Sequence, residues 1–115
     1  MARLREQLAQ VRPAGTSAVH AFAGLATIER TVTLIIVCNQ TGSSVNYSIY
    51  HDDDGATFSE DTALFFTVPL SARSTEVIDL NDLGITVASG GHLGVQTGTG
   101  NAITFSLYGF KGVQK

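Results

Sequence analysis

The sequence predicts an all-β protein: an antiparallel β-sandwich or jelly roll of seven or eight strands, preceded by a short amino-terminal helical arm. From residue 17 onward, apolar and polar residues alternate with a period of two, as in strands that bury one face. Turn-forming residues separate the apolar runs at intervals of roughly 8–15 residues. No helical pattern is long enough for the crossovers that parallel strands require. An antiparallel sandwich satisfies all of these observations.

The first element is the only segment with helical spacing. Residues 2–11 place apolar side chains three or four positions apart, at Leu4, Leu8 and Val11. A proline and a glycine follow and end the pattern. We therefore expect residues 1–16 to form an arm of helix and linker, and residues 17–115 to form the β-domain. A helix this short is marginal in isolation, so it has to pack on its own domain or on a neighbour.

The strands follow from alternation and turn chemistry. A strand is expected over residues 25–38, with a β-branched, apolar stretch at 32–37, and an alternating strand over 45–50. Polar turn residues separate these two runs, which predicts a hairpin between them. Further strands are predicted at 62–68, 74–80, 92–98 and 102–109, with a turn at 81–84.

Two of these strands carry apolar residues on both faces, at positions 34–37 and 64–68. In a two-sheet sandwich the domain itself covers only the inner face. The outer side chains need cover from the arm, from a loop or from another subunit, because an open apolar patch favours aggregation. Of these alternatives, the pattern favours assembly with other chains, with Phe65 and Phe66 among the contacts.

Composition and charge also favour assembly with other chains. The 115 residues are 43% hydrophobic and 15% charged, which is too apolar for disorder and low in charge for a lone domain. Residues 1–12 carry three arginines and one glutamate, whereas the rest carries four basic and nine acidic residues. An acidic body would repel phosphate, so no nucleic-acid partner is expected. A basic arm of this kind suits an acidic neighbouring subunit.

The expected compartment is a reducing cytoplasm. The single cysteine, Cys38, excludes an internal disulfide and is read as a small buried hydrophobe. The amino terminus lacks the apolar stretch of a signal peptide, and no run approaches the ~20 apolar residues of a membrane span. No membrane partner is expected.

An acidic motif at residues 51–55, HDDDG, is the strongest candidate for chemistry. Adjacent carboxylates suggest a hard cation such as Ca²⁺, with Asp52 and Asp54 as candidate ligands. A calcium loop uses alternate positions, however, and consecutive residues are expected to diverge around the chain. The spacing favours a turn in which aspartate caps the backbone. No cofactor is predicted.

Individual histidine and tyrosine residues allow two other interpretations of function, one catalytic and one carbohydrate-binding. His51 beside the carboxylates would form an acid–base pair in an enzyme, but no nucleophile motif accompanies it. Tyr50 and Tyr108, together with the acidic loop, would form the platform of a carbohydrate-binding module. These readings differ in class from an assembly role, and catalysis is the least favoured.

Several passages resemble small virion structural proteins of tailed bacteriophages. They are VTLIIVCNQTGS at 32–43, YSIYHDDDG at 47–55, TALFF at 62–66, GVQT at 94–97, ITFSLYG at 103–109, and the leader from LAQ at 8–10 to PAG at 13–15. The resemblance covers nearly the whole chain and consists of local strings without a catalytic signature. It implies a trimeric β-sandwich that decorates or cements a capsid, or an adaptor at a tail or fibre.

The expected role is therefore a capsid decoration or cement protein of a virion, made in the host cytoplasm, with no enzymatic activity. Its expected partners are the major capsid protein or another virion protein, and copies of itself in a homotrimer. The residues expected to contact them are Arg3, Leu4, Arg5, Leu8, Val11, Arg12, Phe65 and Phe66. The alternatives are a tail or fibre adaptor and a carbohydrate-binding module.

Overall fold

The computed structural model describes residues 5–24, 28–80 and 84–113. Within these ranges the chain forms nine β-strands and one turn of 3-10 helix at Glu60–Thr62. The strands are β1 (Arg5–Val11), β2 (Val19–Ala23), β3 (Ile28–Asn39), β4 (Val45–Asp52), β5 (Ala63–Leu70), β6 (Thr75–Asp79), β7 (Ile85–Val87), β8 (His92–Thr97) and β9 (Ile103–Val113). The described residues contain no helix long and apolar enough to cross a membrane.

The strands form two antiparallel sheets. Sheet A has the order β1-β9-β3-β6, and β7 pairs with β3 beside β6. Sheet B has the order β2-β8-β4-β5. The pairings β4–β5, β3–β6/β7, β2–β8 and β1–β9 are nested, as in one long hairpin rolled into two layers. This is the topology of a jelly roll, so the predicted antiparallel two-sheet fold is confirmed, with nine strands among the described residues in place of the seven or eight predicted.

The core lies between the two sheets and follows from the alternation of each strand. In β9, Ile103, Phe105 and Leu107 are fully buried, and the residues between them face outward. Sheet B contributes side chains of the same kind from β4 and β8. The core consists of Phe22, Val32, Ile35, Val37, Val45, Tyr47, Ile49, Leu70, Ile85, Val87, Leu93, Val95, Ala102, Ile103, Phe105 and Leu107.

The helix predicted over residues 2–11 is wrong for the part that the structure describes. Residues 5–11 form β1, which pairs with β9 at the edge of sheet A. A bulge places one extra residue, Leu8, between Gln7 and Ala9. Leu8, Ala9 and Val11 all pack on the core. The bulge breaks the period of two, and the resulting spacing of apolar residues imitates a helix.

The hairpin predicted between 25–38 and 45–50 is also wrong. Strand β3 lies in sheet A and β4 lies in sheet B, so the turn between them crosses from one layer to the other. The side chain of Asn39 holds this crossing, because its amide nitrogen donates to the carbonyl oxygens of Ser43 at 2.9 Å and Leu70 at 3.0 Å. Turn chemistry predicts where a chain reverses but not which sheet receives it.

The other predicted strands are found with small shifts in their ends. Strand β5 continues through Pro69 to Leu70, which an edge strand tolerates because one side of its backbone needs no partner. The short strands β2 and β7 were not individually predicted. Residues 81–83 of the predicted turn at 81–84 lie outside the described residues, and Gly84 has the positive φ of 66° that favours glycine.

Candidate interaction surface

The outer face of sheet A carries partly exposed apolar side chains. Ile35 and Val37 of β3 fill the core, so the alternating Leu34 and Ile36 face outward. On the adjacent edge strand, Val77 pairs with Ile36 and is 58% exposed. The two-sided pattern of β3 therefore leaves apolar area on the outside of the domain. We call this surface the A face; it comprises Leu34, Ile36, Cys38, Val77 and Tyr108.

Cys38 lies at one end of the A face. It pairs with Thr104 of β9 and Thr75 of β6, and its side chain is partly exposed. Cys38, predicted to be a small buried hydrophobe, is therefore only partly buried. The cause is its register, since Val37 and Asn39 take the inner positions on either side.

A depression of about 380 Å³ opens in the A face beside Tyr108. It forms where both neighbouring strands carry a bulge, with Leu8 as the extra residue in β1 and Thr33 as the extra residue in β3. Leu34 and the ring of Tyr108 line it, and the Gln7 amide donates a hydrogen bond to the Tyr108 hydroxyl at 3.3 Å. The A face thus combines an apolar row with a concave place for a partner's side chain.

The outer face of sheet B carries a second depression, of about 230 Å³. We call it the B groove; its lining includes Thr16, Asn46, Ser48, Phe66, Thr67 and Gln96. Phe66 is 46% exposed at its edge, whereas Phe65 turns inward and packs on the core. The two depressions lie on opposite sides of the sandwich.

A bulge in β5 sets the position of Phe66. Thr67 is the extra residue and has a φ of 47°, a left-handed conformation that is rare for a β-branched side chain. Such a conformation costs on the order of 1–3 kcal/mol and is found more often at ligand sites than elsewhere. The Thr67 N–H donates to the Ser48 hydroxyl oxygen at 2.9 Å, which ties the bulge to β4.

The polar groups of the B groove are held by the sheet. The Tyr50 hydroxyl donates to the Gln96 side-chain oxygen, and the Gln96 amide donates to the carbonyl of Thr16 at 2.9 Å. Asn46 is exposed, and among the described residues its side-chain amide has no hydrogen-bond partner. Gln96 is therefore fixed in orientation, and Asn46 is free to bind a ligand.

The acidic loop begins at Asp52, whose carboxylate caps the chain reversal after β4. One carboxylate oxygen accepts the Asp54 N–H at 3.2 Å and the other accepts the Thr57 N–H at 2.8 Å. These donors, that of Thr57 most strongly, lower the pKa of Asp52. The hydrogen bond and charge of Asp52 raise the pKa of Asp54. The turn-capping role predicted for the loop is confirmed.

The predicted divergence of the three carboxylates is wrong. One oxygen each from Asp52, Asp53 and Asp54 lies within 4.8 Å of the others. Both Asp52 oxygens already accept backbone N–H groups, however, so the side chain of this residue stabilises the conformation of the loop. That neither Asp52 nor Asp54 binds a metal ion stays a prediction.

Acid should weaken this loop through Asp52. A carboxylate whose pKa is lowered on folding stabilises the protein above its unfolded value of about 3.9. That stabilisation is lost as the pH falls through the folded pKa. The Asp52→Asn variant should therefore lose less stability than the wild type between about pH 5 and pH 2. Urea unfolding midpoints measured across this range test it, with the exposed Asp61→Asn as control. Parallel curves for wild type and Asp52→Asn would contradict the assignment.

The histidines take different places from those that an acid–base pair at 51–52 requires. His51 and Asp52 point to opposite faces of β4, because successive residues of a strand alternate. The imidazole beside the loop is that of His92, whose Nδ1 lies 2.5 Å from the Gly55 carbonyl oxygen. The ring of His20 packs edge-on against His92, with their centres 5.1 Å apart. Both rings thus help to attach the loop to sheet B.

The tyrosines do not share one exposed platform. Tyr50 is 2% exposed and stacks beneath Phe58, with ring centres 5.9 Å apart. Tyr108 lies on the A face, in the other sheet. Tyr47 is in the core. A carbohydrate platform formed by Tyr50 and Tyr108 is therefore wrong.

The residues predicted to contact partners fall into three groups. Arg3 and Leu4 lie outside the described residues, and Arg5 is described only through its backbone pairing with Phe110. Leu8, Val11 and Phe65 pack against the domain's own core.

The third group is exposed. The Arg12 guanidinium donates two hydrogen bonds to the carbonyl oxygen of Asn101, at 2.7 and 3.1 Å, and stays at the surface. Phe66 lies on the B groove. Whether either residue contacts another chain stays a prediction.

The most exposed apolar residue of the A face, Val77, was not among these predictions. A signal for it exists, because Val77 and Ile78 are adjacent apolar residues on opposite faces of β6. Like the segments 34–37 and 64–68, this pair places apolar residues on both faces of its strand. Asn46 and Gln96 have no comparable signal, because isolated amides are common on any strand surface.

No protein-family model and no curated protein matches the chain. Among solved structures it is similar to a chain of infectious bursal disease virus Gx strain, with a TM-score of 0.46 and 11% identity over 96% of this chain. It is also similar to a chain of the Gt strain of that virus, with a TM-score of 0.41 and 16% identity over 96%. The protein spans 30% and 29% of the length of those chains.

Proposed function

We propose that the protein is a virion structural protein that decorates or cements a capsid, and that it attaches through the A face. The apolar pair Ile36 and Val77 carries this proposal, because both side chains lie outside the core, on the neighbouring strands β3 and β6 of sheet A. Exposed apolar area next to a depression is the usual form of a protein-binding site. The occupant that we propose is the major shell protein.

Attachment of this kind would act by burying apolar area across joints between shell subunits. Each contact adds little, but the dissociation rate of the joint falls with the total area removed from water. The low charge of the chain suits such a role, since charged groups are depleted in interface cores. Three-fold assembly, and contacts by Arg3, Leu4, Arg5 and Arg12 with acidic neighbours, are further parts of this proposal.

The test is co-expression with the shell protein of the same genome, followed by isolation of shells on a density gradient. Wild-type protein should sediment with shells in numbers comparable to shell subunits. Ile36→Asp and Val77→Asp should each reduce the bound amount at least about tenfold, because a charge would enter an apolar contact. Leu64→Asp is the matched control: Leu64 is 47% exposed but lies on sheet B.

Three results would contradict the proposal. Absence of wild-type protein from the shells would reject a capsid role. Equal loss with Leu64→Asp would remove the A face as the attachment surface. A few copies per particle would indicate instead the second candidate, an adaptor at a tail or fibre.

A further inference from the structure

We propose that the B groove binds a neutral sugar unit of a glycan, with Phe66 as the stacking surface and Asn46 and Gln96 as hydrogen-bonding groups. This site differs from the tyrosine platform discussed above, since it uses none of the exposed area of Tyr50 or Tyr108. It also lies on the sheet opposite the A face.

The charge of the groove limits the class of ligand. No aspartate, glutamate, lysine, arginine or histidine is among the described residues that line it. A phosphate, carboxylate or ammonium group would lose its hydration on entering the groove and would find no opposite charge there, which is unfavourable. The ligand that fits is polar, because amide and hydroxyl groups face it, and uncharged.

The hydrogen-bonding groups suit vicinal hydroxyls. The free amide of Asn46 offers two donors and an acceptor on one planar group. Gln96 is fixed by Tyr50 and Thr16, and its amide still has one N–H and one acceptor position unused. The Ser48 hydroxyl oxygen accepts the Thr67 N–H, so its own proton is free to donate. Fixed groups bind with a small loss of conformational entropy.

The aromatic ring supplies the apolar part of the site. A pyranose has one face of C–H bonds, which packs on an aromatic ring while its hydroxyls bond to amides at the side. Phe66 is half-exposed at the edge of the groove, and the bulge at Thr67 keeps it on the outer face. The bulge that holds this ring on the outer face thus requires the strained φ of 47° at Thr67.

A peptide strand fits less well. Strand β5 is an edge, but bulges at Leu64 and Thr67 interrupt its regular row of backbone groups, and Pro69 lacks an N–H. The depression of about 230 Å³ is also below the roughly 300–1,000 Å³ of sites for larger ligands. These features favour a single sugar residue over an added strand.

The test is NMR titration of the soluble, ¹⁵N-labelled protein with four probes: methyl α-D-glucopyranoside, methyl β-D-galactopyranoside, methyl α-D-mannopyranoside and N-acetyl-D-glucosamine. At least one should shift the side-chain amide signals of Asn46 and Gln96, with a dissociation constant on the order of 1–10 mM. Saturation transfer from Phe66 to the sugar C–H protons should accompany the shifts.

Variants then separate the groove from the rest of the surface. Asn46→Ala and Phe66→Ser should each weaken binding at least about tenfold, because each removes one of the two kinds of contact. Leu64→Ser removes a similarly exposed apolar side chain outside the groove and should leave binding unchanged. Both altered groove residues are surface residues, so the variants should fold, and circular dichroism is the check on this.

The proposal is overturned if none of the four sugars shifts these amides at 50-fold excess over about 1 mM protein. Shifts confined to sheet A, or binding that survives both groove substitutions, overturn it as well. A pool of hexapeptides that shifts the same amides when the sugars do not would assign the groove to peptides instead. Shell attachment does not enter this test, so it is independent of the proposed capsid role.

Discussion

Replacing Asn39 by alanine is expected to lower the free energy of unfolding by about 3–4 kcal/mol, and the melting temperature by about 15 °C. Asn39 is 1% exposed, and its side chain makes hydrogen bonds to two neighbouring turns, one after β3 and one after β5. Its amide nitrogen lies 2.9–3.2 Å from the carbonyl oxygens of Ser43, Leu70 and Ser71. Its oxygen accepts the backbone N–H and the hydroxyl of Thr41.

The loss is large because one side chain connects the two layers at this end of the sandwich. The turn after β3 and the turn after β5 both depend on it, and alanine would leave buried carbonyl and N–H groups unpaired. Asn46→Ala is the matched control, since Asn46 is exposed and should change stability by less than about 0.5 kcal/mol. Urea and thermal unfolding measure both variants. Similar values for the two would show that the Asn39 hydrogen bonds contribute little.

Replacing Gly109 by alanine is expected to cost about 3 kcal/mol or more, or to prevent folding. A Cβ at this position would lie 1.8 Å from the backbone oxygen of Thr31 and 3.1 Å from the Cα of Val32. Neither atom can move without displacing β3, which is the central strand of sheet A. Glycine is therefore required here for the close approach of two backbones.

The matched control is Gly15→Ala, because no atom lies within 4 Å of the added Cβ. It should leave stability unchanged or raise it by about 0.4–1 kcal/mol, since alanine restricts the unfolded chain. Soluble yield and thermal unfolding of the two variants give the comparison. If both variants melted together near the wild-type temperature, β3 and β9 would not approach each other as described.

The fold class is predictable from this sequence because alternation is local. The run at 103–107 shows which side chains face the core without any knowledge of the partner strand. Sheet membership is not predictable in the same way. Strands β3 and β4 are separated by a short polar turn that would serve a hairpin equally well, and burial of Asn39 decides the outcome through contacts with distant residues.

Bulges explain most of the other differences between the predicted and the observed structure. The extra residue Leu8 turned a strand pattern into an apparent helical one, and the extra residue Thr67 placed Phe66 outside the core. A bulge is defined by the partner strand, so a single segment does not reveal it. The A face was partly predictable because apolar residues on both sides of β3 required an outer cover. The B groove was not, because Ser48 and Gln96 meet only through pairing of β4 with β8.

The nested pairing of strands has a consequence for how this chain reaches its native state. Strands β4 and β5 are neighbours in sequence, but Gln7 and Tyr108 of β1 and β9 meet across 101 positions. Each outer pairing closes a longer loop than the one inside it, so contact order is high and folding is expected in about milliseconds to seconds. We expect the inner hairpin, which has the lowest entropic barrier, to form first and β1 to complete sheet A last. Until then, the open edge of β9 is the part of the molecule most exposed to misassembly.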